Sequence, residues 1–240
     1  MRKFLITVVL LKVTLLTAAL MFFVPSAELS LLDEQPTITP TPPADSNVGR
    51  ETSEPYTGEL SIFEAPEREN NLQINRVMDI LKISGGSSVA DIGAGSGWFT
   101  VRAAKRAGGK GQVFAVEINQ EYIDYINARA NKESLTNIKT ILGRPEDPML
   151  PKLSVDAVLI LKTYHEIAEP VQFLKNLKTA LRKNALVGII DRNGSGPDHG
   201  VNKDTVVAEA KRAGFELKEE FDFVKGDGMD YFLVFQQFGK

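Results

Sequence analysis

Two acidic residues bracket a run of glycines in a way that suits a nucleoside. The stretch Asp91-Ile92-Gly93-Ala94-Gly95-Ser96-Gly97 carries glycine at alternating positions. Without a Cβ the chain can turn sharply there and let a ligand approach its main chain. A helix starting at once, at Trp98, aims its unpaired N–H groups at the bound molecule. Dinucleotide loops read Gly-x-Gly-x-x-Gly, and counted from Gly93 that last position is Trp98. Glycine stands instead at Gly97, with Asp91 ahead of the run and Glu117 some 20 residues beyond it. A carboxylate placed there accepts hydrogen bonds from both hydroxyls of an adenosine ribose. Taken alone, Glu117 is equally well a solvated strand end. Loop and acid together point to a nucleoside, with Ala94 and Ile118 completing the binding set.

A second group of residues suits proton transfer. Lys162-Thr163-Tyr164-His165-Glu166 and Asp191-Arg192-Asn193 each follow an apolar run. His165 is the leading general base because imidazole titrates near neutrality. It reads as readily as a histidine that caps the next helix or packs beside the ligand. Tyr164 either hydrogen-bonds an acceptor or walls the pocket, and the wall is the favoured role. Asp191 is expected to form a structural ion pair with Arg192 or Arg68. His199, in a glycine-rich loop able to close over the acceptor, is the second base. The chain has two histidines and no cysteine, which excludes thiolate zinc, iron–sulfur and three-histidine sites. No metal is expected.

The elements that must position these residues follow from periodicity. Leu72, Val77, Ile80 and Leu81 predict one helix from about Arg68 to Ile83. Further helices are expected over 98–107, 121–131, 170–182 and 204–213. Apolar runs predict strands at 88–92, 112–118, 138–142, 155–161, 186–190, 215–223 and 229–238. Strands alternating with helices call for right-handed crossovers, hence an α/β, doubly wound, mainly parallel seven-stranded sheet. The closing strand pair breaks the alternation and predicts an antiparallel C-terminal hairpin at one edge. Ligands of such sheets bind beyond the carboxyl ends of the strands, where both residue groups fall.

Composition narrows the function. The chain has 240 residues, 43% of them hydrophobic, and a formal net charge of −3. A nucleic-acid binder working through a broad basic field is disfavoured. Residues 1–27 read as a signal peptide or membrane anchor: Arg2 and Lys3 precede an apolar run from Phe4 to Val24, interrupted by Lys12. Glu28, Asp33 and Glu34 follow it, so the positive-inside tendency sends the remainder across the membrane, to an exported or membrane-anchored place on the periplasmic side. Residues 28–60, with Pro36, Pro40, Pro42, Pro43 and Pro55, read as a disordered linker. The folded domain is expected over 61–240.

With Asp91, Gly93, Gly95, Gly97 and Glu117 in place, the chain resembles the class I S-adenosylmethionine-dependent methyltransferases. It is most similar to a bacterial group with export signals that carries Pro66-Glu67-Arg68, Val89–Thr100 and Tyr164-His165-Glu166-Ile167. The resemblance implies a Rossmann-like fold and S-adenosylmethionine as cofactor. It further implies that Asp91 holds the methionine amino group and Glu117 the ribose. Gly143–Asp147 resembles the family's adenine-edge loop, where Glu146 or Asp147 accepts from the exocyclic amine. Arg182-Lys183-Asn184-Ala185 departs from the family's Pro-Gly-Gly. The expected reaction is methyl transfer to a small-molecule or lipid-like acceptor, not to nucleic acid. The alternatives are a cofactor-binding pseudo-enzyme without turnover and, further off, an NAD-dependent oxidoreductase.

Overall fold

The computed structural model describes residues 49–53, 56, 58–194 and 200–239. The expected export segment and His199 lie outside the described residues. Seven strands form one sheet: β1 (Ser88–Ile92), β2 (Gln112–Glu117), β3 (Ile138–Leu142), β4 (Val155–Leu161), β5 (Leu181–Asp191), β6 (Phe215–Phe221) and β7 (Tyr231–Gln237). Their order is β3-β2-β1-β4-β5-β7-β6. The first five run parallel, and β7 is antiparallel to both β5 and β6. The fold is thus the expected mainly parallel, Rossmann-like sheet. The last strand slots between β5 and β6, which leaves the charged β6 at the edge. Chain order reverses between β1 and β4, and the carboxyl ends of those strands frame the crevice.

Helices cover both faces. The α1 (Arg68–Asn71), α2 (Ile74–Ile80), α3 (Trp98–Ala107) and α4 (Gln120–Lys132) helices pack on one side, where Val77, Trp98, Leu159 and Phe232 meet in the core. The α5 (Pro170–Ala180) and α6 (Lys203–Arg212) helices close the other, over Ile92, Val116, Leu174 and Val206. Asn119 and Asn202 cap α4 and α6 by accepting from the N–H groups of Glu121 and Asp204 at 2.8 and 2.9 Å.

The structure departs from expectation in three places. The single helix expected from Arg68 breaks at Gln73, whose φ is 50°. Leu72 and Ile74 are both fully buried, yet residues two apart on a continuous helix point about 200° away from each other. The break lets both enter the core. The α5 helix stops at Ala180 and β5 begins directly at Leu181, with a register shift opposite Val155 and Ala157. In the turn where the family's glycines are missing, Asn184 takes the left-handed conformation at φ 63°. Thirdly, the described part of the expected linker is engaged with the domain rather than loose. The Arg50 N–H donates to the Ala168 carbonyl at 2.7 Å, and the Ser53 N–H to Glu166 Oε2 at 2.7 Å.

Candidate active site

The glycine loop is built by main chain on main chain. The N–H groups of Gly93 and Ala94 both donate to the Val116 carbonyl, at 2.9 and 3.2 Å, so the loop hangs from the end of β2. The Ala94 N–H is thereby committed to the fold. Gly93 and Gly95 have φ of 67° and 57°, conformations that L side chains adopt only under strain. Their surroundings differ. A Cβ on Gly93 would stand 2.3 Å from Thr163 Cγ2, while one on Gly95 would find only the Phe63 ring, at 3.8 Å. Gly93 serves close packing between two strand ends, and Gly95 leaves room for something above the loop.

Both acids expected beside the loop are there, and both are buried. Glu117 Oε1 accepts from the Gly95 N–H at 2.5 Å and Oε2 from the Ile118 N–H at 3.2 Å. Burial pushes its carboxyl up to about 7, against those two bonds. Asp91 Oδ2 accepts from Thr100 Oγ1 at 2.6 Å, and burial pushes this carboxyl up to about 6. The negative charge of Asp91 also raises Glu117. Two neighbouring desolvated acids repel a pyrophosphate and welcome a ligand that carries a cation and hydroxyl donors. Ile118 is about half exposed beside them, an apolar surface for a flat ring. Trp98, in place of a third glycine, is buried between the guanidinium groups of Arg68 and Arg102, 4.7 and 4.0 Å from its ring centre. These features argue against a nicotinamide dinucleotide.

The loop expected at the adenine edge follows β3. Asp147 exchanges main-chain bonds with Arg144 at 2.7 and 3.1 Å, and its Oδ1 accepts from the Met149 N–H at 2.7 Å. Glu146 is exposed, and its carbonyl accepts from Asn176 Nδ2 at 2.8 Å. Asp147 is therefore the better fixed of the two.

Beyond β4 and β5 a network appears that spacing alone does not announce. Asp191, fully buried, accepts from His165 Nδ1 at 2.9 Å, from the His165 N–H at 3.1 Å and from the Arg192 N–H at 2.9 Å. The expected pairing of Asp191 with the Arg192 or Arg68 side chain is thus replaced by a histidine–aspartate pair, because β4 and β5 are neighbours and end at the same level. The same contact overrules the helix-capping role for His165. With Nδ1 facing a carboxylate, Nε2 is the nitrogen that can accept a proton, and it lies 3.3 Å from Glu166 Oε1. Tyr164 is corrected as an acceptor contact. It is fully buried, and its hydroxyl donates to Glu209 Oε2 at 2.9 Å, on α6 and away from the glycine loop.

A strap not foreseen in the sequence crosses the sheet's carboxyl edge. Arg50 donates to both oxygens of Glu209, at 2.7 and 2.8 Å, and to the Tyr164 carbonyl at 2.9 Å. Tyr56 stacks edge-on against Phe63 at 6.0 Å and accepts, through its carbonyl, from the Tyr122 hydroxyl of α4. Glu64 then pairs with Ser96 and Arg129, and Arg129 Nη1 also donates to the Ser96 carbonyl at 2.9 Å. Two shallow hollows lie elsewhere, one lined by Lys178, Gly214 and Phe238 and one by Glu69, Arg102 and Arg129. The Phe63 ring is the nearest group above Gly95, at van der Waals distance from where its Cβ would stand.

Comparison with known proteins agrees with this geometry. Residues 83–226, more than half of the chain, match the family model for a methyltransferase domain. The protein-L-isoaspartate O-methyltransferase of Pyrococcus horikoshii is 26% identical over 95 residues, 40% of this chain and 42% of that protein. A 23S rRNA (uracil(1939)-C(5))-methyltransferase of Alcanivorax borkumensis is 40% identical over 88 residues, 34% of this chain and 19% of that protein. The chain thus matches less than half the length of either curated relative. A SAM-dependent methyltransferase from Aquifex aeolicus shares the fold, with a TM-score of 0.67 at 24% identity over 73% of this chain and 95% of that one. The chain belongs to the methyltransferase-domain family, a Rossmann-like fold whose cofactor is S-adenosylmethionine.

Proposed function

We propose that this protein moves the methyl group of S-adenosylmethionine to a small-molecule or lipid-like acceptor lying beside His165. The observation that carries the reading is the pair of buried acids, Asp91 and Glu117, around a glycine loop with positive φ. Bound there, S-adenosylmethionine supplies an activated methyl group on a sulfonium centre. Its ammonium group suits Asp91, its ribose hydroxyls suit Glu117, and its adenine suits Ile118 with Asp147 or Glu146 at the ring edge. Each acid is ionised more readily once a cation or hydroxyl donor meets it, which converts the cost of their burial into binding specificity.

On the β4–β5 side, His165 takes the acceptor's proton on Nε2. Asp191 holds the ring by its Nδ1 hydrogen, and the charge gained on the ring is flanked by Asp191 and Glu166. The curated relatives act on an isoaspartate and on a uracil, so the family does not fix the acceptor; the surroundings of His165 must. The N-terminal apolar run supports delivery to, or anchoring at, the outer side of a membrane, where a lipid-like acceptor is at hand.

Calorimetry of the full chain with S-adenosylhomocysteine is expected to give micromolar binding. Incubation with methyl-labelled cofactor and cell extract is expected to label a small or solvent-extractable product. Binding without any labelled product removes the enzymatic reading, and no binding removes the site. Fractionation of cells making the full chain checks the location; intact chain in the cytosol overturns export.

A further inference from the structure

We propose that the acceptor is an anion whose carboxylate or phosphate oxygens are held by Lys162 and Arg192, the residues that follow β4 and β5, with Arg68 completing the positive field. The proposal rests on the methyl-transfer reading and names the class of its substrate.

Lys162 follows the last residue of β4 with φ 55°, in the left-handed region that a long side chain rarely occupies. Its N–H donates to the Ile190 carbonyl at 2.8 Å, which ties it to the end of β5. The side chain makes no hydrogen bond or ion pair among the described residues, and burial together with Arg192 and Arg68 pushes its ammonium below the usual lysine range. Arg192 follows β5, with Nε buried and without a hydrogen-bond partner, and its guanidinium joins no ion pair among the described residues. By contrast Arg102, Arg106, Arg129 and Arg182 each have a carboxylate partner within 3.1 Å.

The acids facing this group are already engaged. Asp227 pairs with Arg68 Nε at 3.3 Å, and Asp191 holds His165. Asp230 Oδ2 accepts from the Asn193 N–H at 2.7 Å. Neither cation has a counter-ion among the described residues, and Arg192 Nε is buried, so a ligand oxyanion would offset the cost of leaving that guanidinium unpaired. A guanidinium fork beside an ammonium matches the planar carboxylate and the phosphate alike. Position supports a substrate role. Lys162 is three residues from His165, and the intervening Thr163 packs on Gly93. An anion anchored here holds an acceptor between the base and the glycine loop.

The test titrates full-chain protein with benzoate and with inorganic phosphate, each against chloride at fixed ionic strength, with and without S-adenosylhomocysteine. At least one probe is expected to bind, and Arg192→Met and Lys162→Met are each expected to weaken it by tenfold or more, with Arg192→Lys partly restoring it. Benzoate alone binding assigns a carboxylate acceptor, and phosphate alone a phosphate acceptor. Neither probe binding, or equal binding by the variants, overturns the proposal. It is also overturned if both variants lose S-adenosylhomocysteine affinity tenfold while keeping that for methylthioadenosine, because the cations then hold the cofactor's own carboxylate. Failure of the wild type to bind S-adenosylhomocysteine counts against the methyl-transfer reading alone, since the titrations without it still report on the cations.

Discussion

The two halves of the crevice work by different means. The β1–β2 side presents main chain, two desolvated acids and a half-exposed isoleucine, all within one strand–loop–helix–strand stretch. The β4–β5 side presents side chains that come together only through strand pairing: His165 on Asp191, with Lys162 and Arg192 beside them. The first side presents two buried carboxylates, and the second sets Lys162 and Arg192 beside a histidine–aspartate pair. A zwitterionic cofactor and an anionic acceptor would be sorted to opposite ends by charge alone.

The sharpest way to break this division is to put side chains on the loop. Gly93→Val should damage the fold, because its Cβ overlaps Thr163 and its φ is 67°. The backbone and overpacking terms together cost about 2–5 kcal/mol, or roughly 5–15 °C in Tm. Gly95→Val meets only the Phe63 ring, at van der Waals distance, so it should lose cofactor affinity by roughly a hundredfold or more with a smaller Tm change than Gly93→Val. Thermal melts and calorimetry on the two variants give the contrast. Equal melting temperatures would mean that Gly93 is not wedged between strand ends.

The base side should fail differently. His165→Ala is expected to leave S-adenosylhomocysteine affinity within about twofold while labelled-product formation falls roughly a hundredfold. Asp191→Asn keeps the shape but alters the ring's hydrogen bonding, so product formation should fall and its pH profile shift. Asp191→Ala also strands the buried N–H of His165 and should cost about 1–3 kcal/mol in urea unfolding. An unmoved pH profile in Asp191→Asn would reduce Asp191 to a structural residue.

How much of this was legible depended on where each contact lies along the chain. Gly93, Gly95, Gly97 and Glu117 announce themselves because main-chain geometry needs glycine locally and the acid ends the next strand. The sheet was readable for the same reason, as β1, β3 and β4 are short apolar runs with clear stops. Asp191 and His165 lie 26 residues apart and meet only because β5 pairs with β4, whereas the sequence points Asp191 to Arg192 or Arg68. The acceptor contact open to Tyr164 falls away because sequence gives a residue's level on the strand end but not the face its hydroxyl takes. Arg50 sits in a proline-rich stretch whose composition signals a linker, while its partner Glu209 is 159 residues away. The break at Gln73 depended on both flanking apolar residues entering the core, which periodicity alone averages into one helix.

Glu117 offers a smaller and quantitative test. Glu117→Ala should weaken S-adenosylhomocysteine by roughly 10- to 100-fold, the worth of two hydrogen bonds of about 1 kcal/mol each. The pH dependence is more telling. In the folded protein Glu117 titrates at about 7 and Asp91 at about 6, against ordinary values of 4.5 and 3.8. The ligand-free native state therefore keeps protons that the unfolded chain has released, and these two groups make stability fall as pH rises from about 4 to about 7. Cofactor affinity should rise over the upper part of that window, because the ionised acids accept the ligand's donors. Urea unfolding and calorimetry from about pH 5 to 8 should thus slope in opposite directions, and Glu117→Gln should flatten both near pH 7. Parallel slopes in wild type and variant would remove Glu117 from the site.

The smallest effect concerns the strap, which touches both halves. Arg50 is fixed at the β4 side by Glu209 and the Tyr164 carbonyl, while Tyr56 and Phe63 reach α4 and the roof over Gly95. A ligand on the loop would lie beside the Phe63 ring. Arg50→Met loses a half-buried bidentate ion pair and a bond to the Tyr164 carbonyl, worth about 1–2 kcal/mol, so Tm should fall by several degrees. If the strap retains the cofactor, S-adenosylhomocysteine should leave about two- to fivefold faster in stopped-flow displacement, with a similar gain in entry rate and little net change in Kd. Tyr164→Phe is the control, since it removes one bond to Glu209 but leaves Arg50 holding both of its oxygens. Equal exchange rates in wild type and Arg50→Met would show that the roof opens at Phe63 without the latch, and the two halves would then share a wall but not a gate.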